Sequence, residues 1–330
     1  MLKPVNIGPV EIDVPVILAP MSGVTDMPFR RLVKRAGAGM VISEMIASRA
    51  MIHAARKTMK MATHCADEHP IAVQLAGCEP DVMAEAARLN EARGASIIDI
   101  NMGCPVKKVT SGDAGSALMR DEALAAKLLE ATVKAVKVPV TLKMRTGWDD
   151  DSRNAPNLAR IAEECGIQAV AVHGRTRCQF YKGKSAWRFI RQVKDAVSIP
   201  VFGNGDVLTV DDGAELLRQS GADGVLIGRG TYGRPWFPSQ VAHFLQTGER
   251  LDDPPLAAQL DTLIEHYDAI LDHYGAQAGV KIARKHLGWY SKGLPNSAEF
   301  RSEVFDLLEP DAVRARIRAF YMPLIEKIAA

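Results

Sequence analysis

The first three quarters of the chain alternate between short apolar runs and longer stretches with helical periodicity. The stretches between the runs have room for one helix and two short loops, as in residues 81–93, a helical pattern that Pro80 precedes and Gly94 ends. Repeated units of this kind predict an α/β protein with a closed (β/α)8 TIM barrel rather than an open doubly wound sheet. Eight runs have the composition of buried strands: VILAP from Val16, MVISE from Met40, IAVQLAG from Ile71, IIDINMG from Ile97, PVTLKM from Pro139, AVAVHG from Ala169, PVFGNG from Pro200 and GVLIG from Gly224.

The last quarter of the chain has a different pattern. An acidic stretch that contains prolines, residues 249–255, is followed from Leu256 to Ala330 by helical periods without a strand pattern. We therefore predict a small C-terminal α-helical bundle. The predicted domains are a barrel at residues 1–244 and a helical domain at residues 245–330. The pattern alone leaves open whether the helical domain recognises a partner or only shields the barrel.

Composition and charge narrow the class of protein. The 330 residues carry 41 basic and 39 acidic side chains, a net charge of +2, so an argument for nucleic-acid binding has to be local. No run has the apolar core of an export signal or the length of a membrane span, and we expect a cytoplasmic protein without membrane contact. The five cysteines form no CxxC pair, which argues against a disulfide framework and against a zinc site, so no metal is expected.

The segment Ile97 to Pro105, IIDINMGCP, carries the first candidate for chemistry. Its β-branched residues predict a strand that is buried on both faces, and Asn101, Gly103 and Pro105 end that strand. Cys104 therefore follows the carboxyl end of a barrel strand, where barrel enzymes place their reactive groups. The alternative is that Cys104 is a small buried hydrophobic residue.

Polar or small residues follow the other strands at the same end of the predicted barrel, which suggests a ligand at that end. Phosphate groups in such barrels bind at the loops after strands seven and eight, and here these loops carry Gly203, Gly205, Gly228, Gly230 and Arg229. The alternative is that these glycines only form tight turns. Since no GxGxxG follows a strand, the pattern favours a mononucleotide over a dinucleotide. Residues with this placement are Ala19 to Ser22, Glu44, Gln74, Asn101, Lys143, Arg145, His173, Arg175, Asn204 to Asp206, and Gly228 to Gly230.

Two of these residues suit a flavin ring. Lys143 at the end of strand five is costly to bury unless an anionic group meets it, and reduced flavin carries negative charge near N1 and its C2 carbonyl. Gln74 is able to serve the same ring as an amide donor and acceptor. The alternative for Lys143 is a carboxylate partner such as Glu44.

The motifs NMGCP, VILAPMSGVTD, QLAG, TLKMRTGW, HGRTR, NGD and GRG stand in order along the chain. With them, the chain resembles the tRNA-dihydrouridine synthases, and among these the bacterial DusB branch, over essentially its whole length. The run GVKIARKHLGWY near the carboxyl end also resembles that branch. The resemblance implies an FMN-binding barrel followed by a helical tRNA-recognition domain. It also implies NADPH or NADH as reductant, and we expect a monomer.

The resemblance also assigns roles to residues of this chain. It implies that Cys104 donates a proton to C5 of a D-loop uridine while the reduced flavin supplies a hydride to C6, which reduces the C5=C6 bond. Cys178 receives no role. The FMN-binding residues implied are Pro20, Met21 and Ser22 along the cofactor, Gln74 and Lys143 at the isoalloxazine, and His173, Asn204, Gly205, Asp206, Gly228 and Arg229 at the ribityl chain and phosphate. Substrate contacts are predicted for Asn101, at the uracil edge, and for Arg145 among basic residues that line the path to the flavin.

A local charge pattern supports the RNA side of this hypothesis. Between His273 and Ala298 there is no acidic residue, and helical spacing places a basic stripe on one face. The alternative to RNA binding is that this face is an ordinary solvated helix surface. The resemblance to the tRNA-dihydrouridine synthases favours RNA binding. The basic stripe consists of Lys281, Arg284, Lys285, Gly288, Trp289 and Lys292, and the opposite face of Ile282, Ala283, His286, Leu287 and Tyr290.

Two other functions remain open at this point. One is an FMN-dependent reductase of a free pyrimidine or another small enone, which has no use for a basic stripe on a helical domain. The other is a non-catalytic RNA-binding protein, against which the intact Cys104, Lys143 and Asn204 argue. The sequence does not specify which uridine is reduced.

Overall fold

The computed structural model describes residues 2–53 and 62–329. It divides into two compact units. The first contains the chain up to Gly230 together with Pro238–Arg250, and the second contains Thr231–Phe237 together with the chain from Leu251 onward. The assignment of a catalytic role to residues 1–244 and of tRNA recognition to residues 245–330 stays a prediction.

The first unit is a closed barrel of eight parallel strands. Each strand pairs with the next in chain order, apart from a short extra strand noted below, and the last strand pairs with the first. All eight apolar runs form these strands, so the predicted (β/α)8 TIM barrel is confirmed. The strands are β3 (Val16–Leu18), β4 (Met40–Ile42), β6 (Ile71–Ala76), β7 (Ile97–Met102), β8 (Val140–Arg145), β9 (Val170–His173), β10 (Val201–Asn204) and β11 (Gly224–Ile227).

Helices surround the barrel in the order that the spacing predicts. The helix predicted at residues 81–93 is observed at Pro80–Glu91, because Pro80 occupies the first helical position. The helices are α1 (Met27–Arg35), α2 (Ser48–Ile52), α3 (Pro80–Glu91), α4 (Lys107–Thr110), α5 (Glu122–Ala135), α6 (Ala155–Glu164), α7 (Trp187–Lys194), α8 (Val210–Ser220) and α9 (Phe237–Thr247). Short 3-10 turns lie at Ala66–Glu68, Gly115–Arg120 and Arg229–Thr231.

Three short strands were not among the predicted elements. The antiparallel hairpin of β1 (Val5–Ile7) and β2 (Val10–Ile12) precedes the barrel, and β5 (Ile46–Ala47) pairs with β6. Ile7 and Ile12 are buried and belong to the apolar cluster inside the barrel.

The side chains on each barrel strand alternate between two environments. On β7, Ile98 and Ile100 pack in the apolar layer shared with the surrounding helices, whereas Ile97 packs in the barrel interior. The next inward positions, Asp99 and Asn101, are polar. The interior is therefore apolar at the amino ends of the strands and becomes polar towards their carboxyl ends, where the candidate site lies.

The second unit is helical, which confirms the predicted C-terminal bundle. Its helices are α10 (Leu256–Tyr274), α11 (Ala276–Tyr290), α12 (Ser297–Asp306) and α13 (Pro310–Ala329). Helix α10 packs against α11 and α13, and α11 packs against α12. Buried Leu263, Tyr267, Ile270, Leu287 and Ile317 contribute to the interior of this unit.

Two further observations bear on the class of protein. Within residues 2–53 and 62–329, no helix has both the length and the apolar character needed to cross a bilayer. The same described residues contain no cluster of three His, Cys, Asp or Glu side chains suited to a metal ion, and all five cysteines are free thiols.

Candidate active site

The carboxyl ends of strands β6 to β10 bring the predicted polar residues together. The strand register aligns Asn101 with Lys143, and Arg145 with His173, which in turn lies beside Asn204. These five residues therefore form a continuous polar surface around the barrel mouth. The sequence predicted this arrangement from the position of each residue at the end of its strand.

Cys104 lies on a turn that hydrogen bonds fix from both sides. The backbone N–H groups of Gly103 and Cys104 donate to Oδ1 of Asn101 at 3.1 Å and 2.9 Å. The carbonyl of Cys104 accepts from the backbone N–H and the hydroxyl of Ser116 at 3.1 Å and 2.9 Å. Cys104 is half-buried and belongs to neither of the two apolar clusters of the barrel, unlike an ordinary core cysteine.

Lys143 has a neutral hydrogen-bond partner. Its Nζ donates to Oδ1 of Asn204 at 3.2 Å, while Glu44 accepts the backbone N–H of Gly23, so the Lys143–Glu44 ion pair that the sequence left open is not formed. Burial and the nearby charge of Arg145 lower the pKa of Lys143 to about 8, against the opposing charges of Asp99 and the Cys104 thiol group. An anionic ligand would stabilise the charged form of this buried lysine.

Gln74 is held by a buried hydrogen-bond network. Its Nε2 donates to Oδ2 of Asp99 at 2.7 Å, and its Oε1 accepts from Nδ2 of Asn101 at 2.8 Å. The hydroxyl of Thr141 donates to Oδ1 of Asp99 at 2.6 Å. Burial raises the pKa of Asp99, although these hydrogen bonds and the charge of Lys143 oppose the rise. Among the described residues Nε2 of Gln74 meets the single acceptor Asp99, so its second amide hydrogen is suited to a ligand.

Sequence reasoning missed Asp99 as a member of the site. The signal was present, because an acidic residue between two isoleucines of a buried strand needs specific partners. The hydrogen bonds of Asn101 were also not foreseen. Since its Oδ1 and Nδ2 both contact protein groups, its first role in the structure is to hold the Cys104 turn, and its contact with a uracil edge stays a prediction.

His173 has a buried ring nitrogen that is suited to a ligand. The ring is buried, and within the described residues its Nδ1 atom has no hydrogen-bond partner. Burial, together with the charges of Arg145, Lys143, Arg175 and Arg229, holds the pKa of His173 well below its usual range, so the ring is neutral. A neutral imidazole with an unsatisfied buried nitrogen is suited to hydrogen bonding with a bound ligand.

Arg145 joins three loops of the barrel mouth. Its guanidinium donates to the carbonyls of Gly103, Thr176 and Phe180 at 2.8 Å, 2.8 Å and 2.9 Å. Burial lowers its pKa to about 10. These contacts position the loops around Cys104, and a direct contact of Arg145 with substrate stays a prediction.

Asp206 organises two arginines. Arg175, which is buried, binds both carboxylate oxygens of Asp206 at 2.8 Å and 2.6 Å, and Arg229 binds Oδ1 at 3.0 Å. The N–H of Ser185 also donates to Asp206, at 2.8 Å. Burial alone would raise the pKa of Asp206, but the arginines and the Ser185 N–H outweigh it and lower the pKa. The carboxylate therefore orients Arg229, and Arg175, which the sequence placed at the barrel mouth without a role, holds that carboxylate.

Two glycines allow the backbone to come close to a ligand. Gly205 has φ +115°, and a Cβ there would lie 2.5 Å from Oγ of Ser185 and 3.1 Å from Nε2 of His173. A Cβ on Gly228 would lie 3.4 Å from Sδ of Met21, which places the Pro20 to Ser22 segment beside the loop after β11. Gly205, Gly228, Arg229 and His173 thus form a cradle that fits the phosphate of a mononucleotide.

The rim of the mouth carries two arginines stacked on one indole. The guanidiniums of Arg120 and Arg177 lie 4.2 Å and 4.5 Å from the ring centroid of Trp148. Neither arginine has an ion pair with a described carboxylate, whereas Arg153 pairs with Asp150 at 2.5 Å. Unpaired guanidiniums held on an aromatic ring are suited to phosphate contacts.

Within the helical unit, the basic stripe of α11 largely has the predicted two faces. Lys281 is exposed, and Arg284, Lys285 and Trp289 are half-buried. Lys292 is exposed as well, but it lies in the turn after α11, because the helix ends at Tyr290. On the opposite face Ala283, His286, Leu287 and Tyr290 are buried, and Ile282 is half-buried.

Two residues of the stripe differ from the prediction of an open face. The ring of Trp289 stacks on Tyr232 at 3.9 Å between centroids, so one side of the indole is covered. A Cβ on Gly288 would lie 3.4 Å from Cζ of Phe305, so this position faces α12. Both contacts come from distant parts of the chain, which helical spacing cannot show.

The fold and site together define a class of protein: a parallel barrel with a thiol, several cations and a phosphate-type cradle at the carboxyl ends of its strands. The family model described as Dihydrouridine synthase (Dus) matches residues 17–322, and the chain belongs to this family. It is 59% identical to the "Probable tRNA-dihydrouridine synthase" of Rickettsia conorii, over 98% of each chain. It is 54% identical to "tRNA-dihydrouridine synthase B" of Xanthomonas axonopodis, over 97% of this chain and 96% of that protein.

A solved structure supports the fold independently. The structure of TcOYE with pHBA superposes with a TM-score of 0.56 at 12% identity, and covers 83% of this chain and 97% of that chain. At this level of identity the likeness concerns the barrel fold alone. The resemblance deduced from the sequence motifs is confirmed by the family match.

Proposed function

We propose that this chain is an FMN-dependent tRNA-dihydrouridine synthase that reduces the C5=C6 bond of a D-loop uridine, with NADPH or NADH as reductant. The observation that carries the proposal is the position of the Cys104 thiol on a fixed turn at the same barrel mouth as the phosphate-type cradle. Family membership supports the substrate, because relatives of high identity over nearly the whole chain are named for it. A monomer in the cytoplasm is part of the proposal.

The residues at the mouth fit FMN. The phosphate would be held by the Gly205 and Gly228 backbones with Arg229, and His173 has the unsatisfied Nδ1 that a ribityl or phosphate oxygen is able to meet. Asn204 would keep Lys143 directed at the ring, where Gln74 offers its second amide hydrogen. Pro20, Met21 and Ser22 would line the cofactor. In its reduced form FMN supplies a hydride for C6 of the uracil.

The protein's own part in the reaction is proton delivery and positioning. Cys104 donates its thiol proton to C5, and the Asn101 hydrogen bonds to the turn hold the thiol in place for that transfer. Arg145 fixes the loops around the uracil-binding space. A uridine must leave its stack to reach this recessed mouth, so the protein binds it in an extruded state.

Two basic surfaces support an RNA substrate. One is the stripe of Lys281, Arg284, Lys285 and Trp289 on α11, with Lys292 in the turn that follows, and the other is the Arg120–Trp148–Arg177 stack at the rim of the barrel mouth. Both combine cations with an aromatic ring, as phosphate and sugar contacts require.

A single assay tests the proposed function against the free-pyrimidine alternative. Purified protein with FMN and NADPH is incubated either with tRNA from cells that lack dihydrouridine or with free uridine, and dihydrouridine is measured by mass spectrometry. We expect product in tRNA and none from free uridine at the same concentration. Product from free uridine alone would support a small-substrate reductase instead.

FMN affinity is expected to fall as the pH rises through about 8, because Lys143 loses its proton near that pH in the flavin-free protein. Below about pH 8 Lys143 is charged and attracts the cofactor. Above about pH 8 Lys143 must first take up a proton before it attracts the cofactor, which weakens binding. The fall is at most about tenfold per pH unit. Titration of the apoprotein by flavin fluorescence at several pH values measures it. Lys143→Arg keeps its charge and should show no such fall, and an equal fall in both proteins would contradict the role of Lys143.

The double substitution Arg284→Ala with Lys285→Ala is expected to weaken tRNA binding and to reduce the slope of log Kd against log salt by about 1 to 2. Reduction of the flavin by NADPH should be unchanged, because these residues lie on the helical unit. Filter binding over a salt series measures the slope. Arg318→Ala, an exposed arginine of α13 outside the stripe, is the matched control. Lower flavin loading with unchanged tRNA affinity would show that the stripe is structural.

A further inference from the structure

The side-chain amides of Gln74 and Asn101 form a chain of hydrogen bonds between Asp99 and the turn that carries Cys104, and this chain has a fixed direction. Asn101 must direct its Oδ1 to the N–H groups of Gly103 and Cys104, because backbone N–H groups are only able to donate. Its Nδ2 then points to Oε1 of Gln74 at 2.8 Å. Gln74 in turn must direct its Nε2 away from Asn101, where it meets Asp99 at 2.7 Å.

This direction requires a hydrogen-bond acceptor at the far end of the chain. Asp99 is 2% exposed, and it lies beside Gln74 and Thr141 in the strand register. Both neighbours donate to its carboxylate, Thr141 at 2.6 Å. If Gln74 turned over, its Oε1 would face the carboxylate of Asp99 and its Nε2 would face Nδ2 of Asn101, and both contacts would repel.

We propose that Asp99 is a positioning residue for Cys104: as the buried acceptor at the end of the Asp99–Gln74–Asn101 chain, it fixes the direction of both amides and thereby the turn that holds the thiol. Asp99 acts two side chains away from the turn and touches neither Cys104 nor its backbone. The effect on turnover rests on the proposed function, whereas the effect on the turn does not.

Two substitutions of Asp99 distinguish the loss of the hydrogen-bond acceptor from the loss of the negative charge. Asp99→Leu removes the acceptor and leaves Nε2 of Gln74 buried without a partner. Asp99→Asn removes the charge but keeps one acceptor oxygen for Gln74, while its new amide N–H is able to donate to the hydroxyl of Thr141. Gln74→Leu cuts the chain one residue nearer to Cys104.

Hydrogen exchange of the full-length protein, followed by mass spectrometry, is the direct test. In Asp99→Leu we expect the amides of Gly103 and Cys104, in peptides covering residues 100–106, to exchange about tenfold faster or more. Peptides from residues 201–210, on the opposite side of the mouth, should be unchanged, which separates a local effect from general destabilisation. Asp99→Asn should exchange within about twofold of the unsubstituted protein.

A double substitution tests whether Asp99 acts through Gln74. Asp99→Leu combined with Gln74→Leu should exchange no faster than the quicker single variant, within about twofold, because both cut the same chain. If the exchange rate of the double variant instead rises by the product of the two single effects, the proposal is wrong. Normal exchange in Asp99→Leu, or fast exchange in Asp99→Asn, would also overturn it. If Asp99→Leu does not fold, the smaller Asp99→Val removes the same acceptor and must give the same faster exchange.

Turnover provides the second readout. Dihydrouridine formation should fall about tenfold or more in Asp99→Leu, with tRNA affinity unchanged. If the unsubstituted protein forms no dihydrouridine, the proposed function fails, while the exchange experiment still decides the role of Asp99. Normal turnover in a variant with fast exchange would overturn the link between the chain and Cys104 chemistry.

Discussion

Cys104→Ala is expected to lower dihydrouridine formation by about 100-fold or more, since general acid catalysis contributes factors of this size. FMN content and tRNA affinity should stay unchanged, because the backbone atoms of Cys104 make the hydrogen bonds of the turn and the alanine variant keeps them. Single-turnover reduction of tRNA by the pre-reduced protein measures the effect. It isolates the step that needs the proton from reloading of the flavin.

The control for this substitution is Cys178→Ala, which removes an exposed thiol from a neighbouring loop. It should keep normal turnover. Unchanged dihydrouridine formation in Cys104→Ala would remove the thiol from the mechanism and leave its placement at the mouth without a function.

Arg30→Met is expected to lower the free energy of unfolding by about 3–5 kcal/mol, the usual cost of breaking a buried ion pair from one side. Arg30 binds Glu68 at 2.5 Å, and both side chains are at most 1% exposed. The arginine also donates to the carbonyls of Thr25 and Thr63, each at 2.8 Å. Its loss would leave the Glu68 carboxylate buried, with the N–H of Cys65 as the one remaining hydrogen-bond donor among the residues that the structure describes.

The adjacent arginine provides a matched control for this stability effect. Arg31 pairs with Asp67 at 3.0 Å, but the two side chains are 46% and 69% exposed. Arg31→Met should therefore change stability by no more than about 1 kcal/mol. Urea unfolding of both variants, followed by circular dichroism, compares them. Equal losses in the two variants would contradict the importance of burial for the Arg30 pair.

The barrel was predictable from the sequence because its strands are covered on both faces. A strand such as Ile97–Met102 must then be apolar over a continuous run, which is visible without knowledge of its partners. The hairpin at Val5–Ile7 and Val10–Ile12 escaped prediction because each short strand has an exposed polar residue at its centre, Asn6 or Glu11, and therefore no continuous apolar run. So short a segment gives too little alternation to distinguish it from a loop.

The site was predictable as a set of residues but not as a network. Position at a strand end placed Cys104, Lys143 and His173 at one mouth, because the carboxyl ends of parallel strands meet there. Which atoms pair is decided between strands, so the Asn204 partner of Lys143 and the Asp99 partner of Gln74 required coordinates. Asp206 shows the same limit: its position after a strand was predictable, but its pairing with Arg175 and Arg229 is visible only in the structure.

The helical unit shows the same limit. Spacing of three and four residues correctly separated the basic stripe of α11 from its buried face. The stacking of Trp289 on Tyr232 joins residues far apart in sequence, and no periodicity predicts it. The indole therefore has one ring face at most that is able to contact a ligand.

The proposed function makes this barrel a flavoprotein that reduces uridine in tRNA. The most direct measurement is nucleoside mass spectrometry of tRNA from cells in which the gene is deleted and then restored with either the unsubstituted or the Cys104→Ala protein, each also purified for its visible spectrum. If the proposed function is right, dihydrouridine disappears from one tRNA position on deletion and returns only with the unsubstituted protein, and both proteins are yellow with flavin absorption bands. A colourless protein, or full restoration by Cys104→Ala, would contradict it.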